Sequence, residues 1–211
     1  MPVVPAIVDT LRKSMAASGA GPVLVCGSTV DGEESLLLKA FGNLLVQHPR
    51  AVMILAPRHP ERFSAIAELI EQMSIGFCRR SLWNGGALQG KIFLLDTIGE
   101  LAAIYALADI AFVGGSLVPR GGHNIIEPAQ HGVAIIVGNH TENFRDIVSL
   151  FESRSAVRIV GTAELPLVFL ELLANDEERR SLGERAAETT QSQIGATART
   201  AAALEELLTR R

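Results

Sequence analysis

Strand-like and helix-like runs alternate along this chain from residue 22 to about residue 160, which predicts an α/β fold of βαβ units. The strand-like runs are continuously apolar and rich in β-branched residues, as strands covered on both faces must be. Every distinctive polar motif follows one of those runs, which is the edge where open parallel sheets bind ligands. Together these observations predict a Rossmann-like open parallel sheet with helices on both faces.

The elements follow in order. Residues 1–20 carry a short amphipathic helix (Ile7, Leu11, Met15) that reads as a cut edge between domains, and residues 21–211 form the domain proper. PVLVCG at 22–27 is the first buried strand, and residues 31–46 place Leu36, Leu37, Ala40, Leu44 and Leu45 at helical spacing. AVMILA at 51–56 is the second strand, followed by a helix over 61–73, a weaker strand over 76–80 and a polar glycine-rich loop over 84–90. KIFLLD at 91–96 is another strand, with a helix over 99–108 opened by a Thr97-x-x-Glu100 capping box. A strand around Ala111, a helix over 124–131, a strand from Ala134, a helix over 142–152 and a strand at Val157 come next. Two or three C-terminal helices close the chain, the penultimate one opened by Asn175 with Glu178 as a capping box.

Composition narrows the function. The 211 residues, 48% of them hydrophobic, suffice for one domain with an ample core. A net charge of −4 argues against a nucleic-acid partner, which requires a basic face. Cys26 and Cys78 both fall in strands and read as buried thiols of a reducing compartment. No signal peptide is legible, and the most apolar region is broken by Asp109 and a glycine pair, so a cytoplasmic protein is expected. The five histidines lack metal-ligand spacing, so no metal is expected, and neither GxGxxG nor a P-loop lysine is present.

The chemistry concentrates in GGSLVPRGGHNIIEPAQHGVAIIVGNHTENF, residues 114–144. Glycine-rich backbone leading into a short helix suggests an anion site built from free N–H groups, with Glu127 placed to accept sugar hydroxyl protons. Pro57-Arg58-His59-Pro60 is a stiff turn presenting a guanidinium, and Gly138-Asn139-His140 ends the last motif. A phosphate-plus-ribose site, and so a nucleotide ligand, is the expectation.

These residues resemble the C-terminal half of the bacterial 3-deoxy-D-manno-octulosonic acid (Kdo) transferases. The matching segments are GST-x-x-GEE (27–34), APRHPERF (56–63), LLDTIGEL (94–101), YALADIAFVGGSLVPRGGHN-x-x-EPA (105–129) and Asn143-Phe144. The resemblance implies the C-terminal domain of a GT-B glycosyltransferase, which holds CMP-Kdo for transfer to lipid IVA in lipopolysaccharide synthesis. It assigns CMP contacts to Pro57, Arg58, Ile98, Gly99, Glu100, Asn124, Ile125, Ile126 and Glu127, with Ser28, Thr29, Gly121, Gly122 and His123 as further contacts. It implies no cofactor and no metal, CMP-Kdo being a substrate. The catalytic base, the lipid acceptor surface and the membrane contact belong to the family's N-terminal half, so no catalytic residue is expected here and this half alone is expected to be inactive. Val30 stands where the family usually has histidine, and Ile125 and Asn139 replace usual prolines. A non-catalytic nucleotide-binding module and the donor domain of a UDP-sugar enzyme are the alternatives.

Overall fold

The computed structural model describes the backbone of residues 6–209 and the side chains of residues 6–193. Among them, seven strands form one parallel sheet: β1 (Val23–Thr29), β2 (Val52–Pro57), β3 (Phe77–Arg79), β4 (Ile92–Leu94), β5 (Ile110–Val113), β6 (Ala134–Gly138) and β7 (Arg158–Val160). Their spatial order is β3-β4-β2-β1-β5-β6-β7. The chain therefore winds outward from β1 in one direction and later in the other, with the switch between β1 and β5. The expected α/β sheet is the fold observed.

Side chains alternate across the sheet because strand periodicity is two. Leu24, Cys26, Met53, Leu55, Ile110 and Phe112 face α2 (Glu34–Gln47), α3 (Phe63–Gln72) and α7 (Leu165–Ala174), which contribute Phe41, Ile66 and Phe169. Val23, Val25, Val52, Ile54 and Ala111 face the other way, onto Val8, Leu11 and Met15 of α1 (Ala6–Ser18) and onto Tyr105. Thus α1 shares a core with the central strands. Val113, Ile135 and Val137 pack on Phe151 of α6 (Arg145–Ser153) and Ala186 of α8 (Asp176–Thr209). The Asn175 side chain accepts the Glu178 N–H at 3.0 Å at the start of α8. Both cysteines are free, and burial pushes the Cys26 thiol far above its ordinary range, with Glu33 adding to the effect. No helix among the described residues is long and apolar enough to cross a membrane.

Two expected helices are shorter than the apolar pattern suggests. In place of 99–108 stand α4 (Leu101–Ile104) and a 3₁₀ turn, Tyr105–Leu107, because Gly99 takes φ 86°, outside the helical region. In place of 124–131 stands the single turn α5 (Ile126–Ala129). Pro128 is tolerated only near a helix start, and Gly132 at φ 66° stops the turn at its far end. The Thr97 box also fails: α4 has no side-chain cap, and the Thr97 hydroxyl bonds the Glu100 carboxylate itself.

Candidate functional site

Loops after β1, β2, β4 and β5 converge at the C-terminal edge, beside the switch point. At the end of β1 the register with β2 slips by one residue, and Ser28 is the bulged residue. Its φ of 55° is left-handed, a conformation that costs a non-glycine residue about 1 kcal/mol. The Arg58 N–H donates to the Thr29 carbonyl at 2.8 Å, which joins the β1 and β2 loops.

Ser28, Pro57, Arg58, Ile98 and Gly99 line one cavity of about 120 Å³, together with Leu95, Thr97 and Leu101. Ile98 is 78% exposed, an apolar side chain held open at its mouth. The Arg58 guanidinium has no partner among the described residues. Three other arginines of this edge are engaged: Arg62 with Glu34 (2.6 Å) and Asp31 (2.8 Å), Arg79 with Asp96 (2.7 Å), and Arg80 with Glu100 (2.9 Å). Burial acts to raise the Asp96 carboxyl, but the Ser81 hydroxyl and N–H and the Arg79 guanidinium outweigh it and hold it below the ordinary range. Glu100, expected to meet the ligand, has its carboxylate bound by Arg80 and Thr97.

The glycine-rich loop departs from expectation. The N–H groups of Gly115, Ser116 and Leu117 do cradle an anion, but the anion is the Glu33 carboxylate, at 2.8, 2.9 and 2.8 Å. Val30 N–H supplies a fourth bond at 3.0 Å, and Glu33 is completely buried. The nest that the sequence offers to a phosphate is filled from within. Glu34 alongside accepts from Thr29 Oγ1 at 3.1 Å and from Arg62, so GEE clamps the loops together. One signal was available: Glu33 and Glu34 lie four residues before buried Leu37 and Leu38, on the inward face of α2, where a charge needs partners.

Gly121 and Gly122 form a second turn at φ 84° and 76°. Asn143 secures it, donating its N–H to Gly121 O at 2.9 Å and its amide to Arg120 O at 3.1 Å. The His123 ring donates from Nδ1 to Gly114 O at 2.8 Å. Asn124 Oδ1 accepts the Ile126 N–H at 3.0 Å, and Ile125 turns its side chain into the core. Residues 124–127 do not line the Arg58 cavity. Glu127 lies near the buried Tyr105; burial raises the phenol above its ordinary range, and the Glu127 charge adds to this. A second cavity of about 330 Å³ is lined by Val30, Asp31, His59, Arg62, Arg120 and His123. A larger hollow of about 510 Å³ over the start of α6 presents Glu142 and Asp146 against one arginine, a poor match for an anion. Among the described residues no three His, Cys, Asp or Glu side chains gather as a metal site requires.

A wound parallel sheet with motif-bearing loops and an unpaired arginine along its C-terminal edge defines a Rossmann-like domain, the C-terminal type of GT-B glycosyltransferases. The chain is 38% identical over 177 residues to the 3-deoxy-D-manno-octulosonic acid transferase of Haemophilus influenzae, covering 83% of this chain and 42% of that one. It is 37% identical over 205 residues to the same-named protein of Bordetella pertussis, covering 94% and 48%. Its structure superposes at a TM-score of 0.81 and 33% identity on the C-terminal CMP-Kdo binding domain of WaaA from Acinetobacter baumannii, covering 88% of this chain and 98% of that domain. The chain belongs to the 3-deoxy-D-manno-octulosonic acid transferase family. It spans about half the length of the curated relatives it matches. No protein-family model matches the chain.

Proposed function

We propose that this chain binds CMP-Kdo as the donor domain of a Kdo transferase. The observation that carries this reading is the cavity shared by Pro57, Arg58, Ile98 and Gly99, in a chain that covers nearly all of the Acinetobacter CMP-Kdo binding domain. Ile98 offers an apolar platform for the nucleoside, and Arg58 meets the phosphate. Because Glu33 occupies the glycine-rich nest, phosphate recognition rests on Arg58 and not on that loop.

In the proposed reaction a hydroxyl of the lipid IVA acceptor attacks the anomeric carbon of Kdo and CMP departs. The charge that grows on the leaving phosphate is met by Arg58, with no metal in the scheme. The base that takes the hydroxyl proton, the acceptor surface and the contact with the cytoplasmic face of the membrane lie in an N-terminal half, and this chain alone does not catalyse transfer.

Calorimetric titration tests the reading. CMP is expected to bind, with UMP and UDP weaker. Arg58→Ala is expected to lower CMP affinity by about 2 kcal/mol, roughly thirty-fold. Unchanged affinity in that variant would remove Arg58 from the site, and a preference for UDP would overturn the donor assignment.

A further inference from the structure

We propose that the second cavity is the subsite for the acid sugar of the donor, with Arg120 taking its carboxylate and His123 Nε2 accepting a sugar hydroxyl. This inference rests on the donor reading above and extends it to residues outside the nucleotide cavity. An octulosonic acid activated at its anomeric carbon bears two neighbouring anions, the phosphodiester and the carboxylate on the adjacent carbon. A site for it therefore needs a second cationic group close to the first.

The strand order supplies one. Along the edge the loops run in the sequence β4, β2, β1, β5, carrying Ile98, Arg58, Ser28 and then Arg120 with His123. The β1 and β2 loops contribute to both cavities: Ser28 and Arg58 line the first, Val30 and His59 the second. A donor laid along the edge with its phosphate at Arg58 carries its sugar toward β5.

The lining suits that cargo. Asp31 is paired with Arg62, which it shares with Glu34, and its exposed side chain faces solvent, so its repulsion of an anion is reduced. Arg120 has its backbone fixed, N–H to Val118 O at 2.7 Å and its carbonyl bonded by Asn143, while its guanidinium has no partner among the described residues. Its planar fork matches a carboxylate in bidentate fashion. A carbonyl can only accept, so the bond to Gly114 O places the His123 proton on Nδ1 and leaves Nε2 of the neutral ring as an acceptor. The ring is held still: a Cβ at Gly115 would lie 2.6 Å from Nδ1. Val30, buried, gives an apolar wall, and His59 stands on the β2 side.

The full chain is titrated with CMP and with CMP-Kdo, wild type beside Arg120→Ala and His123→Asn. Asparagine keeps an amide N–H near the Nδ1 position, so the loop bond survives while Nε2 is lost. Arg120→Ala is expected to weaken CMP-Kdo roughly tenfold or more and CMP less than about twofold. His123→Asn is expected to weaken CMP-Kdo about fivefold with the same sparing of CMP. Losses that fall equally on both ligands, or on neither, overturn the subsite while the nucleotide site stands. A wild-type chain that binds no CMP overturns the donor reading, and this inference with it.

Discussion

Glu33→Ala is expected to lower stability by about 3–5 kcal/mol, the largest effect of any single side-chain truncation at this edge. The wild-type carboxylate accepts four backbone N–H groups, from Val30, Gly115, Ser116 and Leu117, in a site closed to solvent. Alanine leaves those donors facing an empty hole, and each buried orphan costs about 1–3 kcal/mol before relaxation. For a chain of this length the melting temperature should fall by about 10–15 °C. Glu33→Gln keeps the shape but turns an NH2 toward two of the donors, so it should fall between alanine and wild type. Formate, small enough to enter the vacated nest, should restore part of the loss in the alanine variant. A melting temperature within about two degrees of wild type for Glu33→Ala would show that the clamp does not hold the loop.

Gly138→Ala should damage the same loop from the opposite side. Gly138 ends β6, and its N–H donates to Ser116 Oγ at 2.8 Å. A Cβ there would stand 2.0 Å from Ser116 O, 2.3 Å from its carbonyl carbon and 2.5 Å from Leu117 N. These are backbone atoms, fixed from below by Glu33 and by the Ser116 carbonyl's bond to the His140 N–H at 2.9 Å, so no rotamer relieves the contact. A loss of about 3 kcal/mol or more is expected, above the usual cost of overpacking. Gly86 provides the control, since a Cβ there meets nothing within 4 Å and its φ is ordinary. Equal denaturation midpoints for the Gly138 and Gly86 alanine variants would contradict the packing argument.

The sheet was legible because its strands are covered on both faces. VLVC, VMIL, IAFV and AIIV are runs that no half-exposed strand needs, and all four are buried throughout. The edge that carries function was legible for the same reason, since the polar motifs begin where those runs end. Helix lengths were less so. The apolar spacing in 99–108 and 124–131 is real, but Gly99, Pro128 and Gly132 decide where the backbone can turn, and they leave single turns. The glycine-rich loop was identified as an anion cradle correctly, yet its occupant comes from 82 residues earlier in the chain, a pairing no local pattern reveals. Arg58, Ile98 and Gly99 come together as anticipated, while Glu100 and Ile125 are committed to Arg80 and to the core.

The division between paired and unpaired arginines has a consequence at long range. The molecule as a whole carries a charge of −4, so a dianionic ligand meets a repulsive field from most directions. In the linings of the two cavities Arg58 and Arg120 stand unpaired, while Arg62 is spent on Asp31 and Glu34. Within roughly one screening length, about 10 Å at 0.1 M salt, such a patch draws in an anion and turns its charged end toward the protein before any contact forms. On the donor reading proposed above, the sheet edge would orient its ligand during approach, and the close contacts would complete an alignment that the field had begun.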